Sequence, residues 1–222
     1  WSFQGLSRHF ADGIAWEDPS LPELWRYSLH YLGPAVATVL RDPGSQPWLA
    51  DLLADHWREC RPGRGVAWAP FPLAMRLQNL LRTWALLEAR GGLDPRLDAQ
   101  LARHTRAGTL FLAARLEHHL QGNHLFKELA ALICGTSIWS GLRGLRAAAV
   151  RTFVSQAESQ FLAGGGHEER SLRYHLDCVQ DLLEVRAVLG DDAPERLELL
   201  AARALDFAAA LEHPDGDIAL FN

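Results

Sequence analysis

The chain of 222 residues is 48% hydrophobic and 22% charged, an ordinary globular composition with enough length to bury a substantial core. Its 22 basic and 27 acidic side chains leave a formal net charge of −5, which argues against a nucleic-acid partner, although arginine-bearing loops can still offer a local basic patch. No run of about 18 apolar residues occurs, so no membrane span is expected, and Cys60, Cys134 and Cys178 are too far apart to suggest a disulfide framework or a metal spacing.

Taken in order, residues 1–22 carry Gly, Pro and Asp punctuation and read as an irregular lead-in. Helical periodicity follows over 24–40, with Pro34 expected to break or kink it. A turn at 42–44 leads to a helix over 47–60, with Pro47 in its first turn. The stretch 61–72 reads as a loop bearing Trp68 and Phe71. A long helix over 73–89 is closed by Gly91 and Gly92, and Asp94 with Pro95 caps and opens the next, from about 96 to 108 or beyond. Helices are then expected over 125–139, 145–161, 171–189 and 194–211, separated by glycine breaks. The last residues, 217–221, could form one short extended piece. The result is an all-α protein of about nine to eleven helices in antiparallel-looking pairs, which can close as a bundle, a solenoid or a toroid. The chain opens at Trp1 with no visible signal peptide and stops inside the final extended piece, so a fragment of a longer protein is expected.

Two junctions concentrate polar chemistry. At the first, Asn123 and His124 precede an apolar helix; an amide and an imidazole at a helix N-terminus can hold an anion, or serve only as a cap and a packed ring. At the second, Gly164, Gly165 and Gly166 precede His167, Glu168, Glu169, Arg170, Arg173, Tyr174 and His175. A tyrosine beside a cation or imidazole can act as a general base or acid. The same residues can also form a solvated helix edge with Glu168 and Glu169 paired to the arginines. His118, His119 and His124 fit no zinc spacing, so no metal and no other cofactor is expected. Glu117, Glu128, Glu168 and Glu169 are the carboxylates a glycoside hydrolase would need, with no pair standing out. The aromatics crowding the first third read as core, except Trp68, whose loop position suits a sugar-stacking platform.

Several segments together resemble the N-terminal helical domain of the heparinase II/III family of polysaccharide lyases. W-R-Y-S-L-H-Y at 25–31 is similar to W-x-x-N-L-H-Y-F, and W-A-P-F-P-L-A-M-R-L-Q-N at 68–79 to W-H-P-Y-P-I-S-x-R-x-x-N. N-H-L at 123–125 resembles N-H-L-L, G-G-H-E-E-R-S-L-R-Y-H at 165–175 resembles G-G-H-F-E-R-S-P-x-Y-H, and D-G-D-I-A-L-F-N at 215–222 resembles D-G-x-I-P-x-F-N-D. Ala69, Phe71, Gly164 and Leu172 depart from the family's His, Tyr, Asp and Pro.

The resemblance implies an incomplete α/α toroid of antiparallel helical hairpins over 23–213, with 214–222 starting a linker to a C-terminal β-sandwich domain. It implies β-elimination on an acidic, uronate-containing polysaccharide, without a metal, in a periplasmic or secreted bacterial protein. Asn123 would neutralise the uronate carboxylate, Tyr174 would be the general base and acid, and His175 would tune it. His124, Arg170, Arg173, Trp68 and Arg76 would bind substrate. Heparan sulfate, alginate and a bacterial exopolysaccharide all remain open, and the acidic net charge gives no support to a highly sulfated chain. The alternatives are a non-catalytic polysaccharide-binding toroid in exopolysaccharide assembly or export, a hydrolase, and a helical scaffold for protein partners.

Overall fold

A computed structural model describes residues 1–10, 13–120, 122–213 and 216, without the side chain of residue 140. The expected linker and the motif over 215–222 lie outside the described residues apart from Gly216. The described residues form nine α-helices and one two-stranded hairpin, so the chain is all-α as expected. It folds as two compact units, Trp1–Arg115 and Leu116–Asn222. No helix among the described residues is long and apolar enough to cross a membrane.

The first unit opens on a feature the sequence reading missed. Strands β1 (Ser2–Phe3) and β2 (Leu6–Ser7) pair antiparallel around Gln4 and Gly5, both at positive φ. Two-residue strands are too short to show alternation, so the only signal was the turn itself. Helices α1 (Glu23–His30) and α2 (Gly33–Arg41) replace the single segment expected over 24–40. They are divided by Leu32 in the left-handed conformation, with Pro34 in the first turn of α2, as a helix-breaking proline predicts. Helices α3 (Gln46–Glu59), α4 (Pro70–Arg90) and α5 (Pro95–Ala113) complete the unit. Helix α4 starts earlier than expected because Pro70 sits at its first position, where a missing N–H costs nothing. Asp94 caps α5, its carboxylate accepting from the N–H groups of Arg96 and Leu97.

The second unit is built on α6 (Asn123–Ile138), flanked by α7 (Arg143–Gln160) and α8 (Leu172–Leu189), with α9 (Glu195–Ala210) on α7 and α8. Helix α6 is buried on all sides over residues 125–136, which explains its near-continuous apolar sequence. Phe126 stacks on Phe153 of α7 at 4.3 Å between ring centroids. Lys127, the only lysine of the chain, points its ammonium at Asp181 of α8 at 2.7 Å. Both partners are buried, so the pair fixes α6 and α8 in register and neither charge can be lost singly without a large cost.

Candidate active site

The two polar junctions singled out in the sequence meet in the Leu116–Asn222 unit. Gly122, at φ 88°, turns the chain into α6. Its carbonyl accepts from Gln160 Nε2 at 3.2 Å, and Gln160 Oε1 lies 3.0 Å from His167 Nε2. His167 Nδ1 accepts the backbone N–H of Glu169 at 3.3 Å, and Glu169 Oε1 accepts the backbone N–H of Asn123 at 3.3 Å. These four contacts close a ring that joins the start of α6, the end of α7 and the loop before α8. The ring also sets the tautomer of His167: with Nδ1 accepting, the proton is on Nε2 and is donated to Gln160. Burial lowers the His167 pKa, which keeps the imidazole neutral as this pattern requires.

The glycines before His167 have a packing role. A Cβ on Gly165 (φ 88°) would lie 2.2 Å from the Arg203 carbonyl oxygen, and one on Gly166 would lie 2.8 Å from the Phe207 ring. Backbone therefore packs directly on α9, which a larger residue would prevent.

Ser171 caps α8, its Oγ accepting from the Tyr174 N–H at 3.5 Å. Tyr174 is 44% exposed, and its hydroxyl has no hydrogen-bond partner among the described residues. The side-chain amide of Asn123 is likewise without a partner among them, at the positive end of α6. Arg170, at φ 53°, and Arg173 are exposed, and Arg173 Nε pairs with Asp177 one turn on at 3.2 Å. These four residues stand where a solvent-borne anion can reach them.

His175 is placed differently. Only 1% exposed, it is bonded through Nε2 to the Ala204 carbonyl at 3.0 Å and packed between Phe161 and Phe207. Burial lowers its pKa, so it is a neutral ring joining α8 to α9. With His167, Arg170 and Phe207 it lines a cavity of about 270 Å³.

His124 is half-exposed, with Nδ1 3.3 Å from Glu117 Oε2. Glu128, fully buried on α6, accepts the Glu117 backbone N–H at 2.8 Å. Burial, and then its side-chain hydrogen bond with Glu117, push the Glu128 pKa up to about 8. Glu128 thus keeps its proton through most of the neutral range. Donor atoms of Glu117, His124 and Glu128 lie within 4.8 Å of one another, a spacing that could also hold a cation. As hydrolase carboxylates Glu117 and Glu128 fail, because a glycosidic bond needs two acids separated by about 5–10 Å across open space.

In the Trp1–Arg115 unit the two expected binding residues are both withdrawn from solvent. Trp68, expected as a stacking platform, lies in a 3₁₀ turn and is buried: Nε1 donates to the Cys60 carbonyl at 2.9 Å and its ring packs on Trp57 and Phe111. Arg76, 2% exposed, lies over the Trp68 ring and reaches the His30 carbonyl at 3.4 Å. Burial lowers its pKa to about 10, which leaves it a cation at neutral pH. A flat, amphipathic indole next to a guanidinium is a good sugar platform only when one face is open, and here the core covers it.

The sequence alone did not disclose Gln160, Glu169 or Asp181 in these roles. Lys127 carried the one available signal, a lone lysine inside an apolar helix.

Residues 46–222 match the family model described as Heparinase II/III N-terminus. The chain belongs to that family. Among solved structures, it is similar to a heparan sulfate lyase HepC mutant from Pedobacter heparinus, with a TM-score of 0.72 and 18% identity over 99% of this chain and 37% of that one. It is also similar to a heparinase III, with a TM-score of 0.73 and 16% identity over 93% of this chain and 34% of that one. At this identity the likeness establishes a shared fold, and the chain spans little more than a third of the heparinases it matches. No curated protein matches the sequence.

Proposed function

We propose that this heparinase II/III chain supplies part of the active site of a polysaccharide lyase that cleaves uronate-containing polysaccharide by β-elimination. The observation that supports this most is that an Asn123 amide without a partner among the described residues and an exposed Tyr174 lie in the first turns of α6 and α8, two helices that pack together. The reaction breaks the C5–H bond of a uronic acid, forms a C4–C5 double bond and expels the oxygen on C4. The Asn123 amide donates to the uronate carboxylate as it takes up enolate charge, assisted by the positive end of α6. Tyr174, acting as its phenolate, takes the C5 proton and, now the neutral phenol, gives it to the departing glycosidic oxygen. His124, oriented by Glu117, makes a second contact to the carboxylate.

Arg170 and Arg173 draw in the acidic chain. His175, buried behind Tyr174, holds the first turn of α8 against α9 and so positions the base. Trp68 and Arg76 support the helices of their own unit. A C-terminal β-sandwich domain completes the site, in a protein that works in the periplasm or outside the cell.

One observation favours the second reading, a non-catalytic glycan-binding role in exopolysaccharide assembly or export. The exposed Glu169 carboxylate sits on the Asn123 N–H and would repel a uronate arriving there. The deciding experiment incubates the full-length protein with a panel of uronate polysaccharides and follows the ultraviolet absorbance of the C4–C5 double bond. Unsaturated product from one class supports the lyase. Saturable binding of a glycan with no unsaturated product supports the second reading and overturns the first.

A further inference from the structure

We propose that His30, His56 and Cys60, in the Trp1–Arg115 unit, form a binding site for one thiophilic metal ion. His30 is the last residue of α1, His56 lies in the last turn of α3, and Cys60 is the C-cap of α3. His56 and Cys60 are four residues apart, so they project from the same face of the chain as α3 ends. A ring nitrogen of each histidine and the Cys60 sulfur all lie within 4.8 Å of one another, and all three residues are buried. His30 Nδ1 and His56 Nε2 are 3.2 Å apart. Two nitrogens each about 2.1 Å from one ion sit roughly 3.4 Å apart, so the imidazoles already stand at ligand spacing. The sulfur reaches the same ion with a shift on the order of 1 Å.

The surroundings fit a metal centre in three respects. Glu17 Oε1 lies 3.6 Å from His30 Nε2, on the side of the ring opposite the would-be metal. At that distance it makes no hydrogen bond to the ring, whose Nε2 has no partner among the described residues, and contributes only a nearby negative charge. Trp16 packs on both rings, stacked on His30 and edge-on to His56, which limits their rotation. Burial and the Arg76 charge hold both imidazoles neutral, with His30 near 3 and His56 well below its ordinary value, so each keeps the lone pair a metal needs. His104, the third histidine of the cluster, is occupied through Nε2 by the Leu53 carbonyl at 2.9 Å. His30 Nδ1 and His56 Nε2 face each other, and the two outer nitrogens, His30 Nε2 and His56 Nδ1, have no hydrogen-bond partner among the described residues.

Charge favours a monovalent ion. On binding, the S–H bond is exchanged for an S–metal bond and the proton leaves to solvent. Cu⁺ then replaces one positive charge with another, whereas Zn²⁺ adds a net charge near buried Arg76. Two imidazoles and one thiolate, with no fourth donor in the set, also suit Cu⁺. This inference does not rest on the lyase reading.

The test is metal loading of the intact protein, anaerobically with Cu⁺ against a competing chelator and separately with Zn²⁺, read by elemental analysis and X-ray absorption. The expected result is one bound ion with a shell of two nitrogens and one sulfur. Cys60→Ser and His56→Gln should each weaken binding by more than about 100-fold, a ligand counting for at least as much as its supporting residues. Cys178→Ala, which removes an unrelated buried thiol, should leave binding unchanged. Zn²⁺ in the same shell supports the site and makes zinc its occupant. No stoichiometric binding of either ion, or a shell without sulfur in the unmodified protein, overturns the proposal whether or not the variants fold.

Discussion

His30, His56, His104 and Arg76 of one compact unit and His124, Arg170 and Arg173 of the other meet opposite fates, while His167 and His175 of the second unit are buried like those of the first. In Trp1–Arg115, His30, His56, His104 and Arg76 are gathered out of water among Trp16, Trp57 and Trp68. In Leu116–Asn222, His124, Arg170 and Arg173 stand at helix starts in reach of solvent. The first arrangement suppresses proton exchange, since burial drives each imidazole toward its neutral form. The second leaves amide, hydroxyl and guanidinium groups free to meet a ligand. Residue type therefore says little about role until burial is known, and burial here follows from which neighbouring helix each residue meets.

The contrast predicts that substitutions at the junctions cost activity and those in the core cost stability. Tyr174→Phe should lower the rate of double-bond formation by about 10²- to 10⁴-fold, the usual worth of a positioned general base. Its thermal unfolding should stay within ~0.5 kcal/mol of wild type, because the hydroxyl has no partner among the described residues to lose. A large fall in melting temperature would instead place Tyr174 with the core.

Asp181→Ala should cost about 3–5 kcal/mol in chemical denaturation, by stranding the Lys127 ammonium in the packed α6–α8 contact. A loss below ~1 kcal/mol would mean that water reaches the pair and screens it.

Glu128 ties stability to pH in a direction that can be worked out. Its folded pKa of about 8 lies above the ordinary 4.5, so the folded protein holds a proton that the unfolded chain gives up. Its contribution is whole below about pH 4.5 and is lost as pH rises through about 8. Glu128→Gln keeps the amide-sized group without the ionisation. The stability difference between wild type and Glu128→Gln should therefore shift by a few kcal/mol across that window, in favour of the variant at high pH.

The smallest effect expected is that of Trp68→Phe, which removes the bond to the Cys60 carbonyl and some core volume at a cost of about 1–2 kcal/mol. Glycan affinity should be unchanged. A loss of affinity without a loss of stability would restore Trp68 as a stacking platform.

The order and limits of the helices were legible in the sequence wherever local chemistry decides them. Pro34 sits in the first turn of α2 just after the break at Leu32, Asp94 and Pro95 open α5, glycine follows α4 and precedes α6, and Ser171 caps α8. The family was legible too, through motifs at 68–79, 123–125 and 165–175, all of which fall within the matched residues 46–222. The two polar junctions were also recognisable, since Gly, Asn and Ser mark helix starts by their backbone preferences.

Only the tertiary structure decided which of these residues face water. His175 and Tyr174 are neighbours in sequence, yet one is enclosed by Phe161 and Phe207 and the other is 44% exposed. Successive residues on a helix point about 100° apart, and nothing local says which direction holds α9. The ring through Gln160, His167, Glu169 and Gly122, the pairing of Lys127 with Asp181, and the meeting of His30 with His56 and Cys60 all join residues distant in sequence. Such contacts are set by how whole helices pack, and that is a property of many side chains at once.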